Sequence, residues 1–266
     1  MPDKNPPVFF TVAAVKHEPL LLLEEFFPKI QDQLRRDGYA GPVRKEILKL
    51  QVGDAAEAEQ KAYSVFTPDN SSAFTFNDQG IFSYHTTAYA SKDALFTEFR
   101  RGLDVLKEIA AVSTVTRVGV RMLDLIRPSD TDHQLKDYLD TSLLGFSGLK
   151  EASSWTSGVS GIEHRFTDGN AEVIARLACF PDSFGLPADV FGSLNGHTLN
   201  ASVTGKSGVL HCILDIDSGT RTAQDSSGGI FDRDAIMAEL GTHKARISKL
   251  FRSAVSPFAL KTWGLA

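Results

Sequence analysis

Short runs of alternating apolar and polar residues fill most of the first ninety positions, and turn residues separate them. Such runs are typical of antiparallel strands, in which every second side chain faces the core. The strands predicted in this part are Val8–Val15, Val43–Val52, Ala62–Phe66, Ser72–Phe76 and Ile81–Ala90.

Three longer segments instead carry apolar residues at the spacing of a helix face. The predicted long helices are Leu20–Asp37, Lys92–Ala111 and Asp232–Val255, and Asp130–Leu144 is predicted as a shorter one. The predicted strands of the second half are Val115–Ile126, Trp155–Phe166, Glu172–Phe180, Val209–Ile216 and Phe258–Trp263. The Gly- and Ser-containing connections between them are Pro181–Gly208 and Ser218–Gly229, of which the second is expected to be mobile.

Each half of the chain therefore has strands followed by a long helix. Because an antiparallel sheet offers one apolar face on which a helix can rest, the pattern predicts an α+β fold. We expect two related halves, each an antiparallel sheet covered by a long helix. Residues 1–128 would form the N-terminal half and residues 129–266 the C-terminal half, packed as one compact unit.

Composition adds limits on partners and compartment. The 266 residues are 42% hydrophobic and carry a net charge of -5, so no overall basic field favours nucleic acid. The apolar runs are too short for a membrane span, and the first residues lack the pattern of a signal peptide. These features predict a cytoplasmic protein with no membrane association. The two cysteines, Cys179 and Cys212, lie in apolar strand-like runs and are expected to be buried and reduced. A disulfide between them is the alternative, although a chain of this size does not require one.

The segment Val115–Ile126 holds the best candidates for a binding site. In an extended strand, Arg117, Gly119 and Arg121 face one way, while the opposite face is apolar except for Asp124. Two arginines with a glycine between them would suit a phosphate, a carboxylate or an acidic partner. The alternative is that both arginines pair with acids of neighbouring strands. A buried Asp124 would need a hydrogen-bond partner.

A second strand suggests a metal site. His211, Asp215 and Asp217 share one face of the segment Leu210–Gly219, and imidazole plus two carboxylates can hold a divalent ion. However, His211 and Asp215 would lie roughly 13 Å apart at about 3.3 Å per residue, too far to share one ion. Pairing of the two acids with the arginine-bearing strand is the other interpretation.

Three further groups of polar residues have simpler interpretations. His17 and Glu18 are expected in a surface turn, and His243 is expected as a structural histidine of the last helix. The range 100–107 contains Arg100, Arg101 and Lys107, which could form a local basic patch for nucleic acid.

The segment Thr116–Pro128 reads TRVGVRMLDLIRP and resembles a pattern Arg-x-Gly-Leu-Arg-Tyr-Ile-Asn-x-Ile-x-x-Pro. That pattern belongs to a sporadically distributed, uncharacterised family of bacterial and archaeal proteins of similar length. Leu214–Asp217, His243–Phe251 and the pair Trp263–Gly264 are similar to later parts of the same pattern. The patchy distribution of the family implies a mobile locus, such as a phage-defence or toxin–antitoxin locus.

The sequence thus favours a non-enzymatic binding protein that holds a protein partner, a second copy of itself or an anionic ligand, with no cofactor. The seam between the halves or the face of Arg117 and Arg121 would form the site. The alternatives are a metal-dependent hydrolase or nuclease built on Asp215, Asp217, His211 and Glu172, and a nucleic-acid-binding protein.

Overall fold

The computed structural model describes residues 6–52, 56–128, 132–148, 160–180, 190, 193–199, 210–220 and 229–266. Ten strands are described, and they are β1 Val8–His17, β2 Val43–Val52, β3 Ala56–Phe66, β4 Ser72–Asn77, β5 Ile81–Thr86, β6 Thr114–Ile126, β7 Ser160–Asp168, β8 Ala171–Phe180, β9 His211–Thr220 and β10 Gly229–Ile230. The predicted α+β class is confirmed.

All ten strands belong to one sheet. Its order is β2-β3-β4-β5-β1-β6-β9-β8-β7, every neighbouring pair is antiparallel, and β10 adds to one end of β6. β1 and β6 therefore lie side by side at the centre. The sheet is continuous across the middle of the chain because β1 pairs with β5 on one side and with β6 on the other.

The described helices are α1 Leu23–Arg36, α2 Lys92–Ala110, α3 Leu135–Tyr138, a 3-10 helix Thr141–Gly148, α4 Arg233–Ala254 and α5 Pro257–Thr262. Ser91 and Asp232 begin α2 and α4, because their side chains accept hydrogen bonds from backbone N–H groups of the first turn. Within the described part of the chain, no helix is long and apolar enough to cross a membrane.

The main core lies between the helices and one face of the sheet. Apolar residues of α1, α2 and α4 share a single buried cluster with those of the strands. At Gly102 of α2, an added Cβ would come within 2.4 Å of the Phe82 ring and 2.6 Å of the Phe74 ring. Only glycine therefore lets this helix approach the aromatic face of β4 and β5 so closely. A smaller apolar cluster, with Phe10, Leu123 and Val190, covers part of the opposite face.

Some predicted elements differ from the structure. Phe258–Trp263, predicted as a strand, lies mostly in α5, which begins with Ser256 as its cap and Pro257 at its first turn. The predicted helix Asp130–Leu144 is reduced to α3 and the start of the 3-10 helix. Ser218–Thr220 begin the connection that was expected to be mobile, but they continue β9, and residues 221–228 of that connection lie outside the described residues. Residues 155–159, where the strand predicted to start at Trp155 begins, also lie outside the described residues.

The prediction of two reduced cysteines is wrong. Cys179 of β8 and Cys212 of β9 are directly opposite each other in the antiparallel register, and their sulfur atoms form a disulfide. The two Cα atoms are 4.1 Å apart. Each residue alone is a small buried apolar side chain, so the strand pattern could not reveal that the sheet register brings the two together.

Candidate functional site

A cavity of about 240 Å³ opens on the face of the sheet opposite the long helices. We call it the central cavity because the two central strands form its floor. β1 supplies Phe10, Val12, Ala14 and Lys16, β6 supplies Arg117, Gly119 and Arg121, and Val190, Ser193 and Asp217 complete the lining with Val15, Ile81 and Val120. The cavity thus includes the arginine face at which the sequence located a site.

The alternation of β6 separates charged from apolar side chains. Val118, Val120 and Met122 are buried on the helix side, at no more than 6% exposure. Arg117, Gly119 and Arg121 line the central cavity on the other side. The register of β6 is regular from Arg117 to Leu123 against β1 and from Gly119 to Ile126 against β9, so side chains in this part alternate between the two faces.

Arg121 is held by a neighbouring acid. Its Nε and Nη2 donate to the two carboxylate oxygens of Asp215 on β9, at 2.8 and 2.7 Å. Arg176 of β8 donates to the same carboxylate at 3.1 Å and to Glu163 at 2.6 Å. Asp215 is only 1% exposed, so the two guanidinium groups compensate a buried negative charge. For Arg121, the interpretation as a structural ion pair therefore holds.

Arg117 is placed differently. Its Nη2 lies 3.9 Å from the nearest Asp217 oxygen, and its side chain is 38% exposed. It makes no hydrogen bond to any residue in the described part of the chain. The guanidinium lies over Gly219, where an added Cβ would come within 3.0 Å of its Nε. The donors of Arg117 therefore remain directed towards the cavity and solvent.

A second cation lies beside Arg117. Lys16 of β1 is exposed and is its direct cross-strand partner, and both side chains line the central cavity. Two like charges directly opposite each other destabilise a sheet unless an anion or water screens them. Asp217 is the acid that faces them, and burial raises its pKa, although Arg117 and Arg121 act to lower it and Asp215 raises it further. The rim of the cavity therefore holds two cations and one acid.

Gly119 leaves the space between the two arginines. An added Cβ would lie 3.4 Å from the Ser218 carbonyl oxygen and 3.5 Å from the Gly219 Cα, which is ordinary van der Waals contact. The backbone of β6 would therefore accept a side chain at this position. Glycine here keeps the cavity open rather than permitting a special backbone conformation.

The structure does not bring the candidate metal ligands together. Asp215 is occupied by two arginines, while His211 is 1% exposed at the other end of β9, with its ring 6.0 Å from that of Phe180. Among the described residues, no group of three or more His, Cys, Asp and Glu side chains could hold one metal ion.

The cations of the basic patch considered for nucleic acid make contacts within the fold. Arg100 pairs with Asp234 at 3.1 Å, and Arg101 pairs with Glu98 at 3.2 Å. Lys107 donates to the Val112 carbonyl at 2.9 Å. The pair of Arg100 with Asp234 joins α2 to the start of α4.

His17 is not in a surface turn, whereas Glu18 lies in the bend that follows β1. His17 is the last residue of β1 and is 3% exposed. The Glu18 carboxylate accepts hydrogen bonds from the backbone N–H and the hydroxyl of both Ser113 and Thr114, at 2.6 to 2.9 Å. Although burial acts to raise it, these bonds lower the pKa of Glu18 to about 2. The carboxylate thereby ties the end of β1 to the start of β6.

His243 is buried as expected, at 1% exposure, and its Nδ1 lies 2.9 Å from the Ser218 hydroxyl.

A pair of histidines, His85 and His197, was not recognised in the sequence. His85 Nδ1 lies 2.6 Å from His197 Nε2, and His197 Nδ1 lies 3.0 Å from the Asn70 carbonyl. Because a carbonyl only accepts, His197 Nδ1 carries the proton, so His85 Nδ1 donates to His197 and its Nε2 accepts from Thr75 at 2.7 Å.

This histidine pair anchors one wall of the central cavity. It joins β5 to residues 193–199, next to Ser193 of the cavity lining. Burial lowers the pKa of His197 to about 4, and burial together with His197 lowers that of His85 well below its ordinary value. Both rings are therefore neutral at pH 7. The two residues are 112 positions apart, so no local pattern connects them.

A comparison with models of protein families found no match to this chain, and a comparison with curated proteins found no similar sequence. The resemblance of Thr116–Pro128 to the uncharacterised bacterial and archaeal family therefore stays a prediction.

Proposed function

We propose that the protein is a binding protein that holds an organic anion in the central cavity. The observation that carries the proposal is the pair of like charges at the cavity rim, Lys16 opposite Arg117, with no hydrogen bond from Arg117 to any described residue. An anion between them would relieve this repulsion because both cations attract it, and the guanidinium would donate two parallel hydrogen bonds to it.

The walls define the chemical class of the ligand. Phe10, Val12 and Val190 present apolar surface, whereas the cations lie towards Gly119 and the rim. A molecule with a carboxylate or phosphate head and a small apolar body would match both parts. The acidic side chain of a partner protein offers the same chemistry, and a context in a mobile locus, with phage defence or toxin–antitoxin activity, would agree with such a partner.

Each charged residue has a distinct role in this proposal. Arg117 binds the anion directly and Lys16 adds charge at the rim. Arg121 attracts the anion electrostatically but keeps its ion pair with Asp215. Breaking that pair would leave the buried carboxylate of Asp215 with one partner fewer. Asp217 competes with the anion for Arg117, and its pKa, raised by burial, reduces the strength of that competition.

The test is calorimetric titration with phenyl phosphate and benzoate as probes and phenol as the uncharged control. Arg117→Gln should weaken binding of both anions by roughly tenfold or more, since it removes a charge-assisted hydrogen bond. Asp217→Asn should strengthen it, because the competing acid is lost. Gly119→Val should abolish binding without unfolding, since the backbone tolerates the added Cβ.

Arg35→Gln is the matched control. Arg35 is an exposed arginine of α1 that pairs with Asp32, far in sequence from the cavity strands, so its loss should leave binding unchanged. The proposal is wrong if phenyl phosphate and phenol bind equally, or if Arg117→Gln and Gly119→Val both bind the anions like the unmodified protein. Recovery of a stoichiometric partner that the Arg117 variant fails to hold would instead identify an acidic protein as the ligand.

We further propose that the two halves are a structural repeat that meets at β1 and β6. The supporting observation is the order of elements. The first part has β1, a helix, strands ending in β5, then α2; the second has β6, short helices, strands ending in β9, the two-residue β10, then α4. Outward from the centre, the sheet reads β1-β5-β4-β3-β2 on one side and β6-β9-β8-β7 on the other, so the first part has one strand more. The repeat boundary would then fall before β6 rather than at residue 128, and each half would carry a long helix over its strands.

A further inference from the structure

A second cavity, of about 180 Å³, lies on the helix side of the sheet. We call it the helix-side cavity. Its walls come from the start of the described chain, the end of β6, α4 and the C-terminal residues. The apolar part of its lining is formed mainly by Pro7, Val8, Met122, Ile247, Phe251 and Leu260. Its size suits a metabolite-sized molecule rather than a larger organic ligand, whose pockets start at about 300 Å³.

Asp124 forms the polar floor of this cavity. The residue is 5% exposed and lies among the apolar residues of the helix side of β6. Its carboxylate accepts no hydrogen bond from any residue in the described part of the chain, contrary to the expectation of a structural hydrogen bond. Burying a carboxylate without a hydrogen-bond donor is unfavourable. The cavity is the side from which a ligand could supply the missing donor.

Positive charge lies at the other wall. Lys244 of α4 lines the cavity and donates from Nζ to the Ser248 hydroxyl at 2.8 Å. Its charge acts on Asp124, but the two groups form no direct ion pair. Arg252, which is exposed at the rim, donates to the Leu265 carbonyl at 3.1 Å. The cavity lining therefore combines one acid with two cations, the phenol of Tyr89 and apolar side chains.

We propose that the helix-side cavity binds a small zwitterion with an apolar side group, of the size of a free aliphatic amino acid. The ligand ammonium would donate to Asp124, and its carboxylate would accept from Lys244. The side group would lie against Met122, Ile247 and Phe251. A simple amine would face the repulsion of Lys244 and Arg252, and a simple carboxylate would face that of Asp124, so both charges are needed.

The unmodified protein offers a direct reporter. Its three methionines are Met1, Met122 and Met237, and Met122 alone of these belongs to the described cavity lining. Met237, buried in the core at 7% exposure, serves as an internal control for folding. The experiment is a titration of protein labelled with ¹³C at the methionine methyl groups, followed by NMR.

L-Leucine is the probe, with isoamylamine and isocaproate as the fragments that lack its carboxylate and its ammonium. Leucine should shift the Met122 signal saturably and leave Met237 in place. Each fragment should bind roughly tenfold more weakly or worse, because one charged contact is lost. Asp124→Asn and Lys244→Gln should each reduce leucine binding by a similar factor.

Lys249→Gln is the matched control, since Lys249 is an exposed lysine of the same helix outside the cavity lining. It should bind leucine as the unmodified protein does. The proposal is overturned if Met122 does not respond to leucine at roughly 10 mM, a weak millimolar affinity. It is also overturned if Asp124→Asn binds undiminished with Met237 unperturbed, or if isoamylamine binds as tightly as leucine.

Discussion

Replacing Asp124 with asparagine is predicted to stabilise the fold, and to do so more at pH 8 than at pH 5. Burial raises the pKa of Asp124 from 3.8 to about 7, the attraction of Lys244 opposes that rise, and Asp215 adds to it. Tyr89 is the other titratable group that acts on this carboxylate. Between pH 3.8 and about 7 the folded protein therefore keeps a proton on Asp124 that the unfolded chain has released, and above about 7 the carboxyl is ionised in both states.

The magnitude follows from this difference in pKa. At about 1.4 kcal/mol per tenfold change in proton affinity, a rise from 3.8 to about 7 corresponds to about 4 kcal/mol. Between these two values the folded state binds more protons than the unfolded state, so stability falls as the pH rises and then stays level above about 7. Asparagine cannot ionise, so the variant avoids this loss.

Urea unfolding of both proteins at pH 5 and pH 8 measures the effect. The free energy of unfolding should rise by about 2 to 4 kcal/mol in the variant at pH 8, and by clearly less at pH 5, where the unmodified carboxyl is mostly protonated when folded. Asp93→Asn, at an exposed acid in the first turn of α2, should change stability by about 0.5 kcal/mol or less at either pH. An equal gain at the two pH values, or a loss at both, would refute the assignment of Asp124 as a buried unpaired acid.

Two further changes test contacts that join distant parts of the chain. Reduction of the disulfide between Cys179 and Cys212, which are 33 positions apart, should lower the free energy of unfolding by about 4 kcal/mol on the chain-entropy estimate; identical urea midpoints with and without reductant would show that the bond does not form. Glu18→Gln should lower it by about 1 to 3 kcal/mol at pH 7, because charge-assisted hydrogen bonds to Ser113 and Thr114 are lost. Because the pKa of Glu18 is lowered from 4.5 to about 2, this difference should be full above pH 4.5 and shrink as the pH falls towards 2, as denaturation across that range can measure.

The faces of β6 could be predicted from the sequence because they depend only on alternation within one strand. The same alternation identified Asp215 and Asp217 as partners for the arginine-bearing strand. It could not tell that Asp215 takes Arg121 in a bidentate pair while Arg117 stays open, because this difference depends on the register of β6 against β9. That register is a long-range property of the folded sheet.

Other features escaped prediction for the same reason. The contacts of His85 with His197 and of Glu18 with Ser113 join residues 112 and 95 positions apart, and loop closure over such distances leaves no periodic signal. α5 is a different case, because its signal was local. A serine cap followed by Pro257 at the first turn marks a helix start, and the apolar residues after it were mistaken for an edge strand.

The charged residues of β6 also explain why this central strand has one register. Its side chains alternate, so a shift by one residue against β1 and β9 would move every side chain to the other face. Arg117 and Arg121 would then enter the apolar core beneath the helices, and Val118 and Val120 would line the central cavity. Burying two unpaired guanidinium groups is far more unfavourable than the burial of one carboxylate that the native register requires at Asp124. The arginines of the proposed anion-binding face thus also favour the pairing that places Asp124 in the helix-side cavity.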